Sequence, residues 1–198
     1  RQSSRMNPQN VAIDSNNRYL WRMNRRRLEA EEIRDSVLSV SSRLNLQMNG
    51  PGFYLFKLEK TAHSPHYEYH KYDPNDSRSH RRSVYRFVVR SQPDPFMTTL
   101  DCADSSQSTP QRMETLTSLQ ALSLMNNRFT LSMAQHFARR LQREKPDLAA
   151  QVMRAMTLIT GRLPEPPEQR QLTDYAQQFG LDNLCRLLFN LSEFVYID

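Results

Sequence analysis

The apolar positions change their period along the chain. Ala30, Ile33, Val37, Val40 and Leu44 recur at steps of three and four, the spacing of one stripe on an α-helix. This predicts a first helix from about Arg27 to Leu44, stopped by the breaker Asn49-Gly50-Pro51-Gly52. The stretches FYLFKL and SVYRFVVRS are β-branched or aromatic runs, and the polar HSPHYEYHKYDPNDSRSHRR lies between them. They predict a short β or extended pair framing a long polar loop, followed by the extended SQPDPF with its two prolines.

From Thr115 the helical period returns and holds to the end, predicting at least four more helices. Leu116, Leu119, Leu122 and Met125 form one stripe, and Leu131, Ala134, Phe137, Ala138 and Leu141 the next. Asp147 and Gly161 bracket a third, built on Leu148, Val152, Ala155, Met156 and Ile159. The prolines of LPEPPEQRQL suit the first turn of a fourth, where Glu168 favours the dipole. A last helix, around Asp182 to Glu193, is apolar on most sides and is expected at the centre of the core. The fold class is therefore mainly α, in a single domain. Residues 1–27 form an N-terminal extended arm, 28–50 a helix, 51–113 a strand and loop region, and 114–198 a helical bundle. Trp21 beside Tyr19 reads as the anchor of the arm on the body.

Composition narrows this further. With 38% hydrophobic residues and only four glycines, the chain can bury a core but has few glycine turns, which argues against sandwiches. The net charge of +6 is uneven: residues 1–90 hold 17 Lys/Arg against 9 Asp/Glu, and residues 91–198 hold 10 against 12. A basic half attracts anions such as acidic glycans, lipid headgroups or nucleic acid, without choosing among them. No run of 18 apolar residues occurs, so no transmembrane segment is expected. The opening RQSSRMNPQN reads as the middle of a protein, with no signal peptide.

The stretch from Arg22 to Asp35 concentrates five arginines and four acids. Arg25 and Glu29, Arg27 and Glu31, and Glu31 and Arg34 stand three or four apart, so the cations have acids at helical reach. That favours a framework helix over one offering its arginines to phosphate, and no nucleic-acid partner is expected. Arg25, Arg26 and Arg27 near an Asn24 cap would oppose the helix dipole. At least one of them should therefore be paired with a buried carboxylate or with backbone carbonyls.

His63, His66 and His70 around Glu68 form the densest set of ligand-type side chains, with zinc or copper as the sharp reading and a solvated loop as the bland one. The bland reading is the expectation, with no cofactor held by this chain. Arg81, Arg82 and Arg86 in SHRRSVYRFVVRS are the other binding candidates, although cations on an edge strand also guard against aggregation. Catalytic residues are not identifiable: no Gly-rich phosphate loop, nucleophile elbow or haem-attachment motif occurs. Cys102 and Cys185 have no metal spacing and read as unpaired thiols rather than a disulfide. His136 beside Phe137 reads as a partly buried packing residue.

NNRYLWRMNRRRLEAEEIRDSVLSVSSRLN, HRRSVYRFVVRSQPDPFMTTLDCAD, RMETLTSLQALSLMNNRF, TGRLPEPPEQ and LLFNLSEFVYID, taken in order, resemble an uncharacterised family. It is the C-terminal domain of large planctomycete proteins with cytochrome-c-like modules upstream. The resemblance covers nearly the whole chain. It implies an exported polypeptide, periplasmic or at the cell surface, with haem c held upstream rather than here. It also implies the upstream domains of the same polypeptide as partners, with a further protein partner in an exported complex. Where many members carry a cysteine, this chain has Ser108 ahead of Arg112. The family has no assigned activity, so the readings are a helical scaffold or interaction domain, an enzymatic domain for extracellular polysaccharide breakdown or redox chemistry, and a binder of anionic polymers.

Overall fold

The computed structural model describes residues 3–60 and 64–197. Among these the chain is 50% helical and 8% strand, the mainly α class that the periodicity indicates. The N-terminal segment is not wholly extended. Asn7 caps a short helix α1, Pro8–Ile13, by accepting from the Gln9 amide, and Pro8 sits where a missing N–H costs nothing. Trp21 Nε1 donates to the Asp14 carbonyl at 2.9 Å, so this ring ties the arm to itself.

The first long helix starts later than the stripe suggests. Arg26–Arg27 form a strand, β1, and helix α2 spans Ala30–Val40. Its cap is Glu29 rather than Asn24: the Glu32 carboxylate reaches back to the Glu29 amide at 2.9 Å. Arg25, Arg26 and Arg27 therefore precede the helix, and the dipole argument does not apply to them. At the other end Arg140 donates to the carbonyls of Val40 and Ser39, putting a cation where the dipole favours one.

The expected pair between FYLFKL and SVYRFVVRS shrinks to a single parallel bridge, in which Phe53 bonds to the Tyr85 carbonyl and the Phe87 amide. The second run is instead a 3-10 turn at Ser83–Tyr85 with irregular flanks. The end of the first run does form a strand, but its partner lies in the region read as loop: β2, Lys57–Lys60, pairs antiparallel with β3, Pro65–Glu68. Asp94 then caps the short helix α3, Pro95–Thr99.

Helices α4 (Ser118–Asn126), α5 (Arg128–Glu144), α6 (Leu148–Thr160), α7 (Pro166–Phe179), α8 (Leu181–Leu188) and α9 (Ser192–Val195) build the bundle. Asp147 accepts from the Ala150 amide, and Gly161 closes α6 at φ 76°. Met133, Phe137 and Leu141 of α5 meet Leu184, Cys185 and Leu188 of α8 in the core, with the Phe137 and Phe189 rings stacked at 6.0 Å. The single last helix of the sequence reading is divided in two, and α8 buries one face only. Tyr196–Ile197 then form β4, which pairs antiparallel with β1 and brings the last described residues back to the segment before α2.

The stripe at the start of the bundle is also corrected. Leu116, Leu119 and Leu122 are 84%, 66% and 57% exposed, whereas Gln120 and Leu124 face inward. Gln120 is drawn in because its amide donates to Asp101 and to the Thr115 hydroxyl, both at 2.9 Å.

Candidate functional site

Most of the arginines are built into the framework. Arg27 does not pair with Glu31; its guanidinium donates to Asp101 Oδ2 and to the Thr115 carbonyl, both at 2.8 Å. Arg26 makes a bidentate pair with Glu32 at the surface. Arg34, only 1% exposed, turns away from Glu31. It donates to the carbonyls of Ser79 (2.5 Å) and Arg81 (3.1 Å) and to the Ser83 hydroxyl, between the Phe53 and Phe129 rings. Asp35, 3.6 Å away, in turn accepts from the Ser83 amide and hydroxyl. Two charged residues of α2 thus fix the 79–83 segment against the helix.

The arginines singled out as binding candidates divide. Arg81 is buried, donates to the carbonyls of Pro51, Gln47 and Asn49, and lies 4.0 Å over the Tyr85 ring, so it clamps the glycine turn. Arg82 is exposed. Arg86 donates to Cys102 Sγ at 3.4 Å and is half-buried. Burial and Glu31 push the Cys102 thiol up to about 11, and burial raises Cys185 further, so neither is an activated nucleophile. Both cysteines are free.

The histidines are scattered. His66 faces Glu59 across the hairpin, and exposed His70 lies 3.1 Å from Glu68, while His63 falls outside the described residues. Among the described residues no three metal-type side chains converge.

A different constellation emerges beside a cleft of about 1210 Å³ walled by residues 42–57 and 72–81. His80, 2% exposed, lines it. Its Nε2 stands 2.8 Å from the Pro74 carbonyl, which can only accept, so Nε2 carries the proton and Nδ1 is a bare acceptor. That Nδ1 is buried and has no partner. Asn75, on the same wall, accepts at Oδ1 from Ser132 Oγ and pairs with His136 Nε2 at 2.8 Å, which links the wall to α5. Arg43 lines the cleft, and its buried Nε is also unpartnered. Burial first, then the Arg43 cation, holds His136 below its ordinary range. For His80, burial and the cations of Arg43 and Arg34 outweigh the Pro74 carbonyl and Asp76. Both imidazoles are therefore neutral at neutral pH. At the cleft's edge Tyr54, 57% exposed, is backed by the Phe56 and Phe87 rings at 5.3 and 5.0 Å.

Sequence reasoning missed Arg43, Asn75 and His80. The signal in SHRRS went to its arginines, and the pairing of His136 with Asn75 spans 61 residues.

Residues 1–176 match the family model PSD1, described as a protein of unknown function (DUF1553). The chain belongs to that family. This bears out the sequence-level assignment to an uncharacterised domain family. No curated protein and no solved structure matches the chain.

Proposed function

We propose that this family member is a helical interaction scaffold within an exported, cytochrome-associated planctomycete polypeptide, acting in the periplasm or at the cell surface. It holds no cofactor of its own and docks upstream domains, including one carrying haem c, or a protein partner of the same complex. The observation supporting this is a run of exposed apolar side chains, Leu119 and Leu122 on α4 and Met113 and Leu116 in the segment before it. Burying three leucines would contribute several kcal/mol to association, at about 1.5–3 kcal/mol for a fully buried side chain. Arg27 and Arg34 fit the same reading, because they brace the fold instead of offering themselves to a ligand.

Hydrogen exchange on the upstream-extended polypeptide and on residues 1–198 alone tests it. The amides of Ser118–Asn126 should be slower in the longer chain, and Leu119→Lys with Leu122→Lys should abolish the difference. Equal exchange in the two forms would rule out docking through this face. The enzymatic reading draws support only from the cleft beside His80, since the thiols are not activated.

A further inference from the structure

The β2–β3 hairpin has one closed edge and one open edge. On the outer side of β3, Pro65 has no N–H to offer, and the Tyr67 carbonyl accepts from Gln92 Nε2 at 3.1 Å. Gln92 is itself held there by the Tyr69 hydroxyl, which donates to its carbonyl at 2.8 Å. The outer side of β2 is different. Lys57, Leu58, Glu59 and Lys60 are all exposed, and among the described residues no backbone bond reaches them except from β3. Two strands alone are marginal in water, and an open row of amides and carbonyls is a template for a further strand.

Which groups of β2 point outward follows from the register. With its carbonyl turned to Gln92, Tyr67 makes no ladder bond to Leu58 opposite, and Pro65 opposite Lys60 lacks the donor of a full pair. The ladder bonds therefore join Lys57 to Glu68 and Glu59 to His66, while Leu58 and Lys60 aim their amides and carbonyls away from β3. Side chains alternate across the same strand. Leu58, 49% exposed, shares the face of Phe56, whose ring packs on Tyr67 at 5.0 Å, and Lys57 and Glu59 share the other face.

A partner strand must set its own outward groups against these. For two copies related by a two-fold axis, that requires the pairing to be centred on a residue. Centring on Lys57, Glu59 or Lys60 sets that charge against its own copy. Centring on Leu58 sets leucine against leucine, bonded through both amides, and sets Lys57 against Glu59 of the second copy twice. Lys71 engages only Oε1 of Glu59, at 2.6 Å, which leaves Oε2 to the other chain. We propose that two copies of this chain associate edge to edge through β2, antiparallel and centred on Leu58, to form one four-stranded sheet. The closed outer edges of β3 end that sheet, so the product is a two-fold dimer and not a fibre. The lysines thus select one register from those that the backbone allows.

Sedimentation equilibrium over a concentration series tests this, and should show reversible association to twice the 23.3 kDa of one chain. In a mixture of isotope-labelled and unlabelled protein, filtered NOEs should join Lys57 Hα of one copy to Glu59 Hα of the other, the close contact of a non-hydrogen-bonded pair. Leu58→Pro removes an outward N–H and spares the bonds to β3, so it should abolish the dimer while the Hα contact between positions 58 and 67 persists. Glu59→Lys and Lys57→Glu should each weaken self-association about tenfold, and mixing the two variants should restore the parent affinity, because every cross-strand pair then joins opposite charges. A monomer at every concentration, a dimer insensitive to Leu58→Pro, or a mixture no tighter than the single variants would each overturn the proposal. Where Leu58→Pro loses the hairpin contact, the charge-swap mixture decides. Leu119→Lys with Leu122→Lys changes α4 alone and should leave dimerisation intact, so docking through α4 and pairing through β2 fail separately. Loss of the dimer in that variant would count against β2.

Discussion

Arg27 Nη1 lies 2.8 Å from Asp101 Oδ2 across 74 residues of chain, with the two side chains only 6% and 14% exposed. The carboxylate also accepts from the Thr115 amide and hydroxyl and from Gln120. Burial pushes the Asp101 carboxyl up, but these donors and Arg27 outweigh it and hold it below its ordinary value. Asp101 is thus the knot at which β1, α3 and the start of the bundle meet.

Removing Arg27 strands that carboxylate. Arg27→Ala is expected to cost roughly 3–5 kcal/mol, as for a broken buried pair. Arg26→Ala removes only a surface partner of Glu32 and should cost less than about 1 kcal/mol. Asp101→Asn isolates the charge, since asparagine tolerates the left-handed φ of 63° at this position. Urea melts of the three variants check this, and matching midpoints for Arg27→Ala and the parent would refute it.

Arg34→Lys should not behave as a conservative change. An ammonium cannot span the Ser79 and Arg81 carbonyls and the Ser83 hydroxyl as the planar fork does, nor stack between Phe53 and Phe129. Each carbonyl left without its donor costs about 1–3 kcal/mol. The loss should appear in chemical denaturation, with increased proteolysis of the 79–83 segment. A lysine variant within about 0.5 kcal/mol of the parent would contradict the geometry.

The leucines of α4 should divide by direction. Leu119→Lys should leave stability within about 0.5 kcal/mol, whereas Leu124→Ala should cost about 2–5 kcal/mol through the cavity it leaves. Thermal melts of the isolated domain are sufficient. A large loss from Leu119→Lys would mean that the row is core after all.

Stability should fall as the pH drops below 6.5, the ordinary histidine value. His80 and His136 are both held below that value in the folded chain. Between the two values the unfolded chain takes up protons that the folded chain refuses, so acid favours unfolding. Above 6.5 both states become neutral and the contribution vanishes. The limiting slope is about 1.4 kcal/mol per pH unit for each imidazole. His136→Gln should flatten the profile in this window. The depressed carboxyls of Glu31 and Asp101 act lower, where stability is lost as the pH falls below their ordinary 4.5 and 3.8 toward the lower folded values. A profile flat from pH 7 to 5 would exclude the histidine contribution.

Local signals were legible where the chain itself satisfies its helix ends. Asp147, Gly161, Glu168 and the prolines before it each act within four residues, and the structure uses each as read. What failed was whatever a distant segment decides. Arg26 and Arg27 look helical by spacing, but Tyr196 and Ile197 offer them a ladder. Arg34 looks like a solvated cation until the Ser79 and Arg81 carbonyls enclose it. The Leu116 stripe has the correct period, yet Asp101 attracts Gln120 and rotates the leucines outward. The same limit hid the cleft, whose walls come from two separated stretches.

The pairing of β1 with β4 also has a mechanical consequence. Arg26 sits opposite Ile197, so the chain leaves both strands at the same end of the ladder. A force that pulls residues 25 and 197 apart therefore peels the bonds one after another instead of shearing them together. The seam would open at low load while the core around Phe137 stayed shut. Strain transmitted along the backbone would be absorbed there first, releasing Leu28 from Val195 before any helix of the bundle gave way.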